Sequence, residues 1–182
     1  HVSHRGRWLL DVETHPVSGN DIWMVELGAQ RTPAPVQATP ANETHPTLSP
    51  DGRWLLYVSD DYLYVRPFPG PGREARIWRT KATSPMWAPD GRSVLFMDRS
   101  GGAARIMRLP ADTSGDRVAV GNSTVMAMGR FGGTTPVGGF DVTPDGTRLL
   151  AILSPPPPPS GAPQPAALQP IVHAGLSGGA RE

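Results

Sequence analysis

The chain has 182 residues, with 17 lysines and arginines against 16 aspartates and glutamates, 22 prolines, 21 glycines and no cysteine. The missing cysteines exclude disulfides, thiolate zinc sites and cysteine nucleophiles, and the net charge of +1, with scattered arginines, gives no basic patch for nucleic acid. No run of about 18 apolar residues occurs, so we expect no membrane insertion within this chain.

A short turn-forming phrase returns along the chain, each time ahead of an apolar run. Pro-Asp-Gly occurs within residues 49–53, 88–92 and 143–147, and a degenerate copy lies at 3–7. In each copy the proline presets the second turn position, aspartate suits the third, and glycine takes the left-handed conformation. A period of roughly 40–50 residues indicates a repeat architecture such as a propeller. The residues assigned to these structural turns are Pro50, Asp51, Gly52, Pro89, Asp90, Gly91, Pro144, Asp145 and Gly146.

The segments between the turns have the length and composition of short strands. They contain β-branched and aromatic residues with turn signals at regular spacing, and none shows an apolar period of 3.6 over ten residues. We predict an all-β fold without substantial helix, with residues 14–20 as a loop rich in turn formers. The predicted strands are residues 8–13, 21–27, 36–39, 45–49, 53–59, 62–68, 75–80, 85–88, 93–98, 104–109, 118–120, 124–128 and 149–153.

The strand after each turn is apolar on both faces. Trp54, Leu56 and Val58 point one way, whereas Leu55 and Tyr57 point the other. A sheet with one wet face would alternate, so we expect neighbouring sheets to cover both faces, as in stacked blades. We therefore predict a partial β-propeller with about three four-stranded blades and a partial last blade. The predicted boundaries are 1–153 for the propeller region, with blades at 1–40, 41–82 and 83–138 and the partial last blade at 139–153.

The C-terminal region differs in composition from the repeats. Residues 154–182 begin with a run of prolines, which predicts a stiff spacer and a tail, with a candidate closing strand at 168–172. The blades are too few to close a ring of the usual four to eight, so we expect an open arc that self-associates when expressed alone. We interpret the chain as the C-terminal fragment of a larger bacterial protein, whose remaining blades would be partners.

Three units, at residues 49–68, 88–109 and 143–153, look like the Pro-Asp-Gly, WD-like repeats of TolB-type β-propellers. The stretch 37–70 is similar in more detail to the C-terminal propeller of bacterial transmembrane serine/threonine protein kinases, in which a phrase like Tyr64–Pro69 lies on the third strand of a blade. No kinase motif occurs in this chain. The resemblance implies a periplasmic or otherwise extracytoplasmic module, although a cytoplasmic location is also compatible.

No combination of side chains in the sequence forms a recognisable catalytic or metal-binding motif. His15 and His45 do not occupy equivalent repeat positions and His4 lies in the degenerate turn, so we expect loop and strand-edge roles rather than metal binding. The geometry of the turns already explains their three aspartates. A Gly-x-Ser-x-Gly elbow and a phosphate-binding loop are both missing from the sequence. We therefore predict no catalytic, cofactor-binding or metal-binding residue, and we predict that the chain is not an enzyme.

Two functions from different classes fit these observations. The first is a non-catalytic binding or sensing module, with a protein or small ligand on the loop faces of the blades. The alternative is the gating propeller of a prolyl-oligopeptidase-like serine peptidase whose catalytic domain is not in this chain. A hydrolase elbow elsewhere in the parent protein would favour the peptidase, and an upstream transmembrane segment would favour the sensor.

Overall fold

The computed structural model describes residues 6–17, 19–28, 32–131 and 139–153. This part of the chain contains strands and no helix, so the predicted all-β fold class is confirmed, and no helix that could cross a membrane is found in it. The strands are β1 (Trp8–His15), β2 (Gly19–Glu26), β3 (Ala34–Gln37), β4 (Glu43–Leu48), β5 (Trp54–Ser59), β6 (Tyr62–Pro67), β7 (Ala75–Trp78), β8 (Ala82–Trp87), β9 (Ser93–Asp98), β10 (Ala104–Asp112), β11 (Ala119–Val120), β12 (Thr124–Gly129), β13 (Phe140–Val142) and β14 (Leu149–Ala151).

The strands form four antiparallel sheets, each built from strands that follow one another in the chain. We name them blade 1 (β1-β2-β3), blade 2 (β4-β5-β6-β7), blade 3 (β8-β9-β10 with β11 and β12) and blade 4 (β13-β14). In blade 3, β12 pairs with the first part of β10 and the two-residue β11 pairs with its end. Short antiparallel strands joined by tight turns form sequential hairpins of this kind.

The first hairpin is tighter than the sequence predicts. Residues 14–20 were expected to form a loop, but β1 and β2 remain paired through Thr14↔Asn20 and His15↔Gly19. The hydroxyl of Thr14 donates to Oδ1 of Asn20 over 2.8 Å. The loop prediction is wrong because polar turn formers at the exposed end of a hairpin can still complete the backbone ladder.

The second strand of each central blade is buried on both faces, as predicted for a stacked blade. Leu55, Leu56 and Tyr57 of β5 are 0% exposed, and Phe96 and Met97 of β9 are also 0% exposed. Successive side chains of a strand point to opposite faces, so one strand supplies two separate cores.

Three apolar clusters therefore lie between consecutive blades rather than within one central core. The cluster between blades 1 and 2 contains Leu10, Ile22, Leu48, Leu55, Tyr57 and Phe68. The cluster between blades 2 and 3 includes Trp54, Leu56, Val58, Trp87, Val94 and Phe96. The cluster between blades 3 and 4 contains Leu95, Met97, Ile106, Phe131, Phe140 and Val142. Each blade is thus held by its neighbours, as in other repeat proteins.

Two of the sequence-based predictions fall outside the described residues. They are the proline-rich spacer and tail at 154–182 and, within it, the candidate closing strand at 168–172.

Candidate functional site: the turn face of the blades

The three Pro-Asp-Gly turns share one backbone geometry. The N–H groups of Gly52, Gly91 and Gly146 donate to the carbonyl oxygens of Ser49, Ala88 and Thr143 over 2.8, 2.9 and 2.7 Å. The three glycines have φ values of 74°, 67° and 70°. Residues that carry a side chain rarely adopt this left-handed backbone conformation, which is why glycine stands at the fourth position of each turn.

The turn aspartates bind their own backbones. Oδ1 of Asp51 accepts the N–H of Arg53 at 3.1 Å. The carboxylates of Asp90 and Asp145 accept the N–H groups of the residues two positions on, at 2.9 and 3.0 Å. This Asx geometry stiffens each turn. Within the described residues, no group of three or more histidine, aspartate or glutamate side chains is placed to hold a metal.

In the first of these turns, several donors form hydrogen bonds to the carboxylate of Asp51. The hydroxyl of Ser49 donates to Asp51 over 2.6 Å, and Nε of Arg53 donates over 2.7 Å. Burial raises the pKa of Asp51, but the hydrogen bonds from Ser49 and Arg53 outweigh it and lower the pKa below its ordinary value. In the last turn, the hydroxyl of Thr143 donates to Asp145 and lowers the pKa of that carboxyl.

The middle turn lacks such a hydroxyl because Ala88 stands where the other turns have serine or threonine. Among the described residues, the Asp90 carboxylate therefore receives only the N–H of Arg92. Asp90 is exposed on the turn face and carries a negative charge with unused acceptor positions. It is the turn aspartate best able to bind an external donor.

Two grooves meet at this middle turn. The larger, about 810 Å³, lies between the turns of blades 2 and 3 and the connection from β10 to β12. The smaller, about 290 Å³, lies between the turns of blades 3 and 4. Asp90 lines both grooves. The lining of the larger groove is mixed, with the apolar residues Pro50, Pro110 and Val120 beside the charged residues Asp51, Asp90, Asp112 and Arg92.

Arg53 holds the connection from β10 to β12 against blade 2. Its Nη2 donates to the carbonyl oxygen of Thr113 over 2.8 Å, while its Nε binds Asp51. A single guanidinium therefore joins the turn of blade 2 to the outer part of blade 3. The sequence indicated the turns, but it gave no sign that Arg53 crosses from one blade to the next. A guanidinium with five donors suits such a bridge between a carboxylate and a carbonyl.

Strands β4 and β8 each contain one residue with a backbone conformation that the sequence analysis did not predict. His45 and Ser84 have φ values of 54° and 53° and lie within the β-bulges of β4 and β8. Each follows a threonine and precedes a proline, in Thr44-His45-Pro46 and Thr83-Ser84-Pro85. The two phrases lie at the same distance before their turns, and this recurrence was the sequence signal that could have indicated the shared backbone conformation. Non-glycine residues in this region store strain.

The Asp60–Asp61 turn joins β5 to β6, between the predicted strands 53–59 and 62–68, at the end of blade 2 away from its Pro-Asp-Gly turn. Both residues have positive φ, at 45° and 71°. Oδ1 of Asp60 accepts the N–H of Asn42 at 3.0 Å. Beside them Glu43 is 0% exposed and accepts a hydrogen bond from Thr39, and burial raises the pKa of its carboxyl. These carboxylates serve the structure, since each has an identified backbone or side-chain partner.

The two histidines in the described part of the chain, His15 and His45, lie in different blades. His15 lies at the end of β1, where its Nδ1 accepts the N–H of Val17 at 3.3 Å. His45 lies in β4 of blade 2, and burial lowers the pKa of its imidazole. His4 lies outside the described residues. The structure does not bring the two described histidines into one metal-binding group.

Comparisons with known proteins identify the fold. No protein-family model matches the sequence, and no curated protein matches it either. TolB from Acinetobacter baumannii has a similar structure, with a TM-score of 0.60 and 17% identity over 88% of this chain and 37% of that one. An oligogalacturonate lyase in complex with manganese gives a TM-score of 0.61 at 12% identity, covering 85% of this chain and 46% of the lyase.

A periplasmic gluconolactonase from Pseudomonas aeruginosa is also similar, with a TM-score of 0.53 and 18% identity over 81% of this chain and 47% of that protein. The chain thus spans less than half the length of these proteins. At such identities the likeness shows the fold alone, and that fold is a β-propeller. The chain therefore has a partial β-propeller fold, as predicted, and that fold is similar to the one in TolB.

The prediction that the chain is not an enzyme is wrong, because it does not follow from this architecture. Two of the similar structures are a lyase and a gluconolactonase, so the same fold serves enzymes. The blades supply a rigid scaffold, while the loops of a propeller supply its chemistry. Missing catalytic motifs in the blade repeats therefore do not determine whether a propeller is an enzyme.

Proposed function

We propose that this chain is part of a TolB-like propeller that binds an extended polypeptide segment of a partner protein along the larger groove of its turn face. The observation that carries this proposal is the groove itself, about 810 Å³, walled by the turns of two adjacent blades. The turns are stiffened by their aspartates, so the groove is largely preformed. Preformed sites bind with a smaller loss of conformational entropy.

The chemistry of the groove suits a polypeptide. Pro50, Pro110 and Val120 offer apolar contact, and Val120 is 41% exposed. In the same lining, Asp90 provides an acceptor and Arg92 provides donors. A lining of mixed apolar and polar groups matches the alternating side chains and amide groups of an extended segment.

We further propose that the parent protein acts outside the cytoplasm as a sensor. One protein of the same fold is a periplasmic gluconolactonase, which supports such a location. The likeness of residues 37–70 to kinase-associated propellers stays a prediction, because it rests on the sequence alone. The alternative of a peptidase gate has no specific observation in its favour, since none of the similarities described above is to a peptidase.

Selection from a display library of random dodecapeptides would test the binding proposal. We expect selected peptides to bind the wild-type chain and to lose at least about tenfold in affinity to Val120→Asp, which places a charge on an apolar part of the lining. Asp90→Asn should also weaken peptides that carry a basic residue, because asparagine keeps the Asx turn but removes the charge.

The matched control is Val125→Asp, at a valine that is 49% exposed on β12 and does not line the groove. Its peptide affinities should equal those of the wild type. Selected peptides that bind Val120→Asp and the wild type equally would contradict the proposal.

A further inference from the structure

The smaller groove of the turn face places one arginine and two aspartates around a single cavity. This groove, about 290 Å³, lies between blades 3 and 4, and its charged lining residues are Asp90, Arg108 and Asp145. A cavity of this size is at the small end of the range for ligand pockets, so it suits a small metabolite. The larger groove shares Asp90 with it but contains neither Arg108 nor Asp145.

Arg108 is oriented by one hydrogen bond and keeps the rest of its guanidinium available. It lies in β10 opposite Leu95 of β9. Its Nε donates to the hydroxyl of Ser93, a residue that is 2% exposed, over 3.0 Å. Within the described residues this is the only hydrogen bond of the Arg108 side chain, so both terminal nitrogens remain free to donate. The terminal nitrogens of an oriented guanidinium form a fork that matches a carboxylate.

The two aspartates do not neutralise this arginine. Within the described part of the chain, Arg108 forms no ion pair with Asp90 or Asp145. The two carboxylates instead accept backbone N–H groups of their own turns, at 2.9 and 3.0 Å. The hydrogen bond from Thr143 also lowers the pKa of Asp145, which is therefore ionised at neutral pH. The groove thus contains one positive and two negative groups that line the same space without pairing.

The uncharged part of the lining is mostly apolar. Pro89, Met126 and Pro144 are exposed, and the exposed fraction of Met126 is 39%. Leu95 and Val142 also line the groove and belong to the buried cluster between blades 3 and 4. A methionine side chain adapts its shape to the methylene groups that it contacts. A ligand with a short aliphatic chain between charged ends therefore matches this lining.

We propose that the smaller groove binds a free basic α-amino acid, one whose aliphatic side chain ends in an ammonium group, such as lysine or ornithine. Arg108 binds the α-carboxylate, and Asp90, which has unused acceptor positions, binds the α-ammonium. Asp145 binds the ammonium of the side chain. Such a ligand carries one net positive charge, which complements the one net negative charge of the three groups. This inference concerns the smaller groove and does not depend on peptide binding in the larger one.

Isothermal titration calorimetry with the full chain and three small probes tests the proposal. L-lysine carries all three charges, L-norleucine lacks the ammonium of the side chain, and cadaverine lacks the carboxylate. We expect L-lysine to bind saturably. The other two probes should bind at least about fivefold more weakly, because each lacks one charge-assisted hydrogen bond.

Variants of the lining assign each contact. Arg108→Gln should weaken L-lysine at least about fivefold without weakening cadaverine, which has no carboxylate to lose a partner. Asp145→Asn should likewise weaken L-lysine but not L-norleucine, whereas Asp90→Asn should weaken all three probes. The matched controls are Arg117→Gln and Asp116→Asn, because both residues are exposed and line neither groove. Their affinities for the probes should equal those of the wild type.

Four results would overturn the inference. The first is no saturable binding of L-lysine up to about 10 mM. The second is equal affinity for L-lysine and L-norleucine. The third is an Arg108→Gln variant that binds L-lysine as the wild type does, and the fourth is one that loses cadaverine to the same extent as L-lysine. Val120→Asp, in the larger groove, should leave L-lysine binding unchanged, so failure of the peptide proposal and failure of this one are distinguishable.

Discussion

Arg105 binds the buried carboxylate of Asp98, with Nη2 of Arg105 lying 2.7 Å from Oδ2 of an aspartate whose side chain is 2% exposed. The two residues face each other across the β9–β10 ladder of blade 3. Asp98 also accepts the N–H of Ser100 at 2.8 Å, so its carboxylate closes the hairpin between these strands. Burial raises the pKa of Asp98, but the hydrogen bonds from Ser100 and the charge of Arg105 outweigh it and lower the pKa below its ordinary value.

Replacing this carboxylate should destabilise the fold. We expect Asp98→Ala to reduce the free energy of unfolding by about 2 kcal/mol, below the range of about 3–5 kcal/mol for fully buried pairs. The smaller value follows because Arg105 is 35% exposed and can recover hydration. Urea unfolding measures the difference. The control is Glu26→Gln in the exposed pair with Arg7, where a change above about 1 kcal/mol would contradict the reasoning.

The stability that Asp98 contributes should also depend on pH. A carboxyl with a lowered pKa in the folded state stabilises the protein above its unfolded pKa of about 4 and loses this contribution as the pH falls through the folded value. Wild type and Asp98→Asn should therefore differ most at neutral pH and converge as the pH falls below about 4. Unfolding free energies measured from pH 7 to pH 3 test this. A difference that stays constant over the range would refute the ion-pair explanation.

The left-handed turn glycines should resist substitution for a conformational reason. A Cβ at Gly52 would meet nothing within 4 Å, so only the backbone φ of +74° makes Gly52→Ala lower the free energy of unfolding. We expect a loss of about 1–2 kcal/mol. Gly102→Ala is the control, since a Cβ there is also unobstructed and the residue has no positive φ. It should change the stability by less than about 0.5 kcal/mol in the same thermal or urea unfolding.

A polar network joins blade 1 to blade 2 through Tyr57. Its side chain is 0% exposed, and its hydroxyl donates to Glu74, which also accepts Nε2 of Gln37 at 3.3 Å. We expect Tyr57→Phe to lower the unfolding free energy by about 1 kcal/mol, because one hydrogen bond is lost while the exposed carboxylate remains hydrated. Tyr62→Phe, at a tyrosine that is 36% exposed, should be close to neutral. Equal effects at the two sites would argue against the network.

The interface between blades 2 and 3 contains indole groups whose N–H is buried. Trp54, Trp78 and Trp87 have no hydrogen-bond partner for Nε1 within the described part of the chain. Trp87→Phe removes one such donor while keeping an aromatic ring, so we expect a loss below about 1.5 kcal/mol. Trp87→Ala should cost about 3–5 kcal/mol, because it leaves a cavity between the blades. Chemical unfolding of both variants tests this, and a Phe variant as unstable as the Ala variant would show that the indole N–H has a role.

The sequence alone determined the repeat, the turns and the two-faced strands. Pro-Asp-Gly is a local signal, since each residue suits its turn position whatever surrounds it. The alternation of Leu55 with Leu56 likewise follows from the period of two in any strand. These local rules were enough to predict an all-β partial propeller, which the structure confirms.

The tertiary structure decided which of these residues meet. Arg53 bridges two blades, Asp90 lies at the junction of two grooves, and Leu150 is exposed where Leu56 is buried. None of this follows from the repeat, because a residue's neighbours in the adjacent blade lie tens of residues away in the chain. The hairpin at residues 14–20 was missed for a related reason, since cross-strand pairing overrode the local preference of polar residues for a loop. In this protein local chemistry specifies each blade, and contacts between blades create the surfaces available for binding.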